Sequence, residues 1–135
     1  MVATPSLSES QRDVRDLFGV PINALTMSQV LALVDETIEG RGRLNIGVVN
    51  AAKIVNMRRN AVLRDSVLDS DVILADGMAV VWASRLLRSP LPERVPGIDL
   101  MHGMLRRGQP HGYRVYCLGA TQDVLDRATA KMEAD

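Results

Sequence analysis

Aromatic residues are scarce in this sequence: one Phe, one Trp and two Tyr make up 3% of 135 residues. Few side chains are therefore available to stack on nucleobases or sugar rings. There is one cysteine, Cys117, so an internal disulfide is excluded. Excess charge of one sign is also missing, since Lys+Arg and Asp+Glu both number 16 and cancel. Without a basic surplus nothing points to nucleic acid, and none is expected as a partner. No apolar run approaches the length that spans a bilayer. Met1 to Ser10 is polar and lacks the basic start and apolar stretch of a secretory signal. A cytoplasmic protein, or one peripheral to a membrane, is the expectation.

What is present is a core-forming composition, 47% hydrophobic, in a length that makes one domain. Residues 1–15 read as a flexible tail and residues 16–135 as an α/β domain. Leu17 to Ile22 is a short extended piece, with Pro21 at an edge or turn. Thr26 and Gln29 form a capping box before a helix whose buried stripe is Val30, Leu31, Leu33, Val34 and Ile38. Gly40 and Gly42 stop it. Strands are then predicted at Leu44–Val49, Asp71–Ala75 and Tyr113–Leu118, with Cys117 buried and inert in the last. Helices are predicted at Ala51–Arg59, from Asn60 onward, at Gly77–Leu87, at Gly97–Arg107 and from Thr121. Strands alternating with helices give a Rossmann-like parallel sheet with helices on both faces. The pattern stops on a helix with no closing strand. It therefore reads as truncated at its C-terminus, and a homo-oligomer or poor solubility is expected from the apolar surface left bare.

Ligands of such sheets bind where strands end and helices begin, and several polar residues fall there. Asp76 follows an apolar strand and precedes Gly77. It reads either as a helix cap or as a general base that takes a proton from a hydroxyl. Asn50 closes the preceding strand at the same level, again as a cap or as a site residue. If the two share a cleft, their Cα atoms lie within about 12 Å, the reach of next-but-one strands. Arg94 and Asp99 flank Pro96-Gly97 in a rigid loop, where Arg94 is either a loop charge or a fork for phosphate. Asp99 reads as the cap of the next helix. Gly119-Ala120-Thr121 offers backbone N–H groups to an anion at the start of the last helix. His102 and His111 lack the spacing of metal ligands. Val80, Val81 and Trp82 read as core. Met101, Met104 and Leu105 read as helix packing rather than a soft patch for a lipid tail.

The block Asp76-Gly77-Met78-Ala79-Val80-Val81-Trp82-Ala83, followed by Leu91-Pro92-Glu93-Arg94-Val95-Pro96-Gly97-Ile98-Asp99-Leu100, resembles the WecG/TagA/CpsF family of bacterial glycosyltransferases. The resemblance covers roughly Leu17 to Asp135 and implies that more strands and a C-terminal appendage belong to the fold. It implies an inverting transferase that moves an N-acetylmannosamine-type sugar from a UDP donor to a polyprenyl-diphosphate-linked amino sugar. The product would feed teichoic acid, capsule or other cell-surface polysaccharide. It also implies that Asp76 is the base, that Asn50 shares the catalytic site, and that Arg94 holds phosphate. Asp99, Gly77, Gly97, Gly119 and Thr121 are the further substrate-binding candidates. No cofactor or metal is implied, the UDP-sugar being a substrate, and contact with the inner membrane face would come through the missing C-terminal part. The family usually carries a threonine ahead of Asn50, where this chain has Val48-Val49. The competing expectation is a truncated, inactive module of the same fold that binds nucleotide or only assembles.

Overall fold

The structure, a computed structural model, describes residues 13–134. It opens with a hairpin of β1 (Val14–Leu17) and β2 (Val20–Asn23), so the strand begins inside the segment expected to be tail. Phe18 and Gly19 turn it, both at positive φ (57° and 81°), as a two-residue primed turn requires. Pro21 lies opposite Asp16 in this hairpin. Next come α1 (Met27–Glu39), β3 (Ile46–Val49), α2 (Ala51–Met57), α3 (Ala61–Leu68) and β4 (Val72–Ala75). Then follow α4 (Met78–Leu86), α5 (Gly97–Gly108), a 3-10 turn over Gln109–His111, and α6 (Gln122–Ala134).

The expected capping box is formed: Gln29 N–H donates to Thr26 Oγ1 at 3.2 Å, and Thr26 N–H to Gln29 Oε1 at 2.8 Å. Strands β3 and β4 pair in parallel, with Val49 opposite Ala75. All four residues of β4 are buried, as in a parallel strand covered on both faces. Side chains alternate along it. Val72 and Leu74 join Val30 and Leu33 of α1 and Leu100 of α5 on one face. Ile73 and Ala75 join Ile54 and Met57 of α2, Val67 of α3, and Val80 and Val81 of α4 on the other. Helices α1 and α5 approach closely, since a Cβ at Gly103 would lie 3.1 Å from the Leu31 side chain, and Arg107 Nε donates to Asp35 Oδ2 at 2.7 Å.

The hairpin joins β4 through a side chain rather than a ladder. Asn23, only 8% exposed, accepts the Ile73 N–H on its Oδ1 at 2.9 Å. Asn23→Ala is expected to cost about 1–3 kcal/mol, the penalty of a buried donor left unpaired. Thermal unfolding followed by circular dichroism checks it.

Three expectations are corrected. Residues 113–118 form no strand: the segment has no ladder partner among the described residues, and Val115, Tyr116 and Leu118 are 61%, 87% and 88% exposed. The open edge of β3, where a further strand would add, has its Val48 carbonyl occupied by Lys53 Nζ at 2.8 Å. Apolar alternation alone does not make a strand when no edge receives it. Cys117 is accordingly half-buried instead of buried, and α6 buries no residue. Trp82 is the third, 62% exposed on the outer side of α4 while Val80 and Val81 take the inner side.

Candidate active site

The register that pairs Val49 with Ala75 makes Asn50 and Asp76 the next residues at the carboxyl edge of the sheet. Asp76 N–H donates to Val49 O at 2.8 Å, so the two chains are still in step there. Asn50 and Asp76 therefore stand about one strand spacing apart, ~4.8 Å, well inside the 12 Å required. Gly77 tightens the junction, since a Cβ there would lie 3.4 Å from Asn50 Cβ.

The two polar residues then part in what they do. Asn50 is the N-cap of α2, accepting the Lys53 N–H on Oδ1 at 2.9 Å. Its amide Nδ2 donors are not used by that bond. Asp76 is not a cap: α4 takes Gly77 as its N-cap, with no side-chain bond. The half-buried Asp76 carboxylate accepts no hydrogen bond among the described residues and is left for other chemistry. The strand-to-helix junction is one residue longer than the sequence pattern suggests, and that residue separates Asp76 from the helix cap.

Arg94 is held by its neighbours and not by itself. Glu93 Oε1 accepts the Met27 N–H at 2.5 Å, adding a side chain from 66 residues away to the first turn of α1. Val95 N–H donates to Ala75 O at 2.8 Å, and its side chain is 1% exposed in the core. The backbone on both sides of Arg94 is thus fixed, while its exposed guanidinium makes no ion pair among the described residues. Immediately after it, α5 starts with Gly97 against the Val48 side chain, where a Cβ would lie 3.6 Å away. The first turn of α5 therefore stands over the end of β3. Asp99 lies in that turn, exposed, but the N-cap is Pro96, so the expected capping role is corrected.

No strand end carries Gly119 and Thr121 toward this edge, because residues 113–118 form none. Gly119 is at φ 122° and Thr121 O accepts the Leu125 N–H of α6. A cleft of about 880 Å³ lies between α5 and α6, lined by Met101, Met104, Leu105, Tyr113, Val115 and Met132 among others. Met104 also packs against the α1–α5 core, whereas Met101 is 37% exposed. This cleft contains none of Asn50, Asp76 or Arg94. Among the described residues no group of three His, Cys, Asp or Glu is arranged to hold a metal ion. His111 Nδ1 instead lies 2.9 Å from Arg107 O.

Sequence reasoning missed Glu93 and Lys53. Glu93 reads as a loop charge because its partner is distant in the chain. Lys53 had a local signal, standing three residues after the strand-ending asparagine that caps its N–H.

Residues 15–135 match the pattern of the family described as "Glycosyl transferase WecG/TagA/CpsF family". Similar proteins include those of Staphylococcus aureus strains NCTC 8325 / PS 47 and MRSA252. Each is named N-acetylglucosaminyldiphosphoundecaprenol N-acetyl-beta-D-mannosaminyltransferase and is 32% identical over 115 residues. The aligned region covers 84% of this chain and 45% of each relative, so the chain spans about half the length of these proteins.

Proposed function

The chain belongs to the WecG/TagA/CpsF family of glycosyl transferases, and from that premise we propose that its sheet edge carries out inverting sugar transfer. The donor in this reading is a UDP-linked N-acetylmannosamine-type sugar. The acceptor is an amino sugar on a polyprenyl diphosphate, the acceptor type that the names of the relatives give for those proteins. The acceptor hydroxyl attacks the anomeric carbon from the face opposite the diphosphate. Its proton passes to the Asp76 carboxylate as the new C–O bond forms and the old one breaks. Arg94 and the first-turn N–H groups of α5 receive the charge that develops on the leaving diphosphate. Asn50 offers its amide N–H to substrate oxygens. The step draws on no metal in this reading.

The observation that carries the proposal is the unbonded Asp76 carboxylate, one strand spacing from Asn50 and beside the fixed backbone of Arg94. Isothermal titration of the chain with UDP tests it. Saturable binding supports a usable donor site. Arg94→Ala is expected to weaken that binding about tenfold or more, the worth of a charge-assisted hydrogen bond. Its melting temperature should not change, since the guanidinium has no partner to lose among the described residues.

A second reading, an assembly or nucleotide-binding module without transfer activity, is favoured by one fact. The cleft between α5 and α6 contains none of Asn50, Asp76 or Arg94. Flat heats with UDP support a scaffold, while UDP binding without release of UDP from the sugar nucleotide supports a binding module.

A further inference from the structure

A single dipeptide, Asp76-Gly77, joins β4 to α4. No other Asp or Asn of the chain is followed by glycine. The groups that flank the dipeptide are held. Asp76 N–H donates to Val49 O at 2.8 Å, and Gly77 O accepts the Val80 N–H at 3.1 Å. The peptide group between them is not held, since neither Asp76 O nor Gly77 N–H makes a hydrogen bond among the described residues. A planar peptide unit turns as one body, so this one can rotate between its two Cα atoms without breaking a bond of the strand ladder or the helix. Glycine brings no Cβ to obstruct that motion. The Asp76 carboxylate is unbonded too, and both residues are only half-buried, so water reaches them. Other aspartates lack this freedom. Asp65 and Asp69 are followed by serine, the next smallest neighbour of any aspartate here, but Ser66 lies inside α3 and Ser70 N–H is spent on Val67 O at 3.1 Å.

We infer that Asp76-Gly77 isomerises spontaneously in the folded protein, which makes residue 76 a modification site. The Gly77 backbone nitrogen attacks Cγ of the protonated Asp76 carboxyl. An N–Cγ bond forms, and the amide hydrogen leaves with the carboxyl hydroxyl as water. The product is a five-membered cyclic imide, which water reopens at either carbonyl. Cleavage of the N–Cγ bond restores aspartate. Cleavage of the bond from nitrogen to the main-chain carbonyl carbon gives isoaspartate, with no change of mass and no oxidation or reduction. The main chain then runs through Cβ and Cγ, one methylene longer, and the carboxylate stands directly on Cα. The base of the proposed transfer is displaced, so transfer is lost in step with conversion. That consequence rests on the transferase reading, and the isomerisation itself does not.

Prolonged incubation of the folded chain in heavy-oxygen water, followed by trypsin and electron-transfer fragmentation of the peptide 65–85, tests this. Isoaspartate and heavy oxygen are expected at residue 76, well above any at Asp65, Asp69 or Asp71. Gly77→Ala is expected to lose most of the conversion. Its Cβ would lie 3.4 Å from Asn50 Cβ, an ordinary contact that keeps the fold but restricts the swing of the peptide group. Asp76→Glu should lose the conversion altogether, because its carboxyl would have to close a six-membered ring. Asp76→Asn reaches the same imide by expelling ammonia and should convert faster than the unchanged chain, so its kinetics are read on fresh protein. Isoaspartate that appears only in urea-unfolded chain overturns the inference, since the fold then protects the bond. So does its absence from both forms, or an equal amount at Asp69. Conversion at residue 76 with undiminished transfer leaves the modification standing and removes Asp76 as the base. Absence of conversion, in turn, leaves the transferase reading untouched.

Discussion

Asp76→Asn is expected to lower sugar transfer by about a hundredfold or more, the usual worth of a positioned general base, in any preparation that shows transfer. The fold should be unaffected. Asp76 does not cap α4, because Gly77 does, and its carboxylate holds no other group among the described residues. Exchanging one oxygen for an amide nitrogen leaves volume and backbone in place and removes only the ability to accept the proton. Donor affinity should therefore persist while turnover falls, which steady-state kinetics together with UDP titration separate. Equal turnover in the variant, with an unchanged melting temperature, would mean that Asp76 is not the base.

The second large effect is structural. Leu74→Ala is expected to cost about 2–5 kcal/mol, the range for emptying a fully buried leucine site. Leu74 has no exposed surface and packs in the cluster that joins β4 to Val30 and Leu33 of α1 and Leu100 of α5. Its loss acts on the site as well as on stability. The start of α5, with Gly97 over Val48, is held to the sheet through this cluster and through Val95. Diphosphate binding should weaken along with the unfolding free energy, whereas Asn23→Ala, which meets β4 at Ile73 and not at its carboxyl end, should lower stability and spare binding. Denaturant unfolding and UDP titration of both variants check this contrast.

Much of this was legible locally. The capping box at Thr26 and Gln29, the stop after Glu39 and the helix restarting at Asn60 all rest on interactions within a few residues. They formed as the sequence pattern requires. The convergence of Asn50 and Asp76 was legible too, because two parallel strands of equal length deliver their last residues to one edge. Illegible were the bonds between distant segments. Nothing near Glu93 indicates that it closes the first turn of α1, and nothing near Asn23 indicates that it carries the Ile73 N–H.

The sequence by itself determined the alternation of strand and helix, the carboxylate at the end of β4 and the rigid loop that holds Arg94. Each follows from period, cap chemistry or the fixed φ of proline, which need no partner far along the chain. Tertiary structure alone decided which oxygens are spent and which are free. It left Asp76 an unbonded carboxylate among the described residues, although Asn50 at the neighbouring strand end caps its own helix. It also turned Trp82 outward, because an all-round apolar helix buries whichever side meets the sheet. Finally, it left residues 113–118 without a ladder, since a strand exists only where another edge accepts its hydrogen bonds, and that edge is a property of the whole fold.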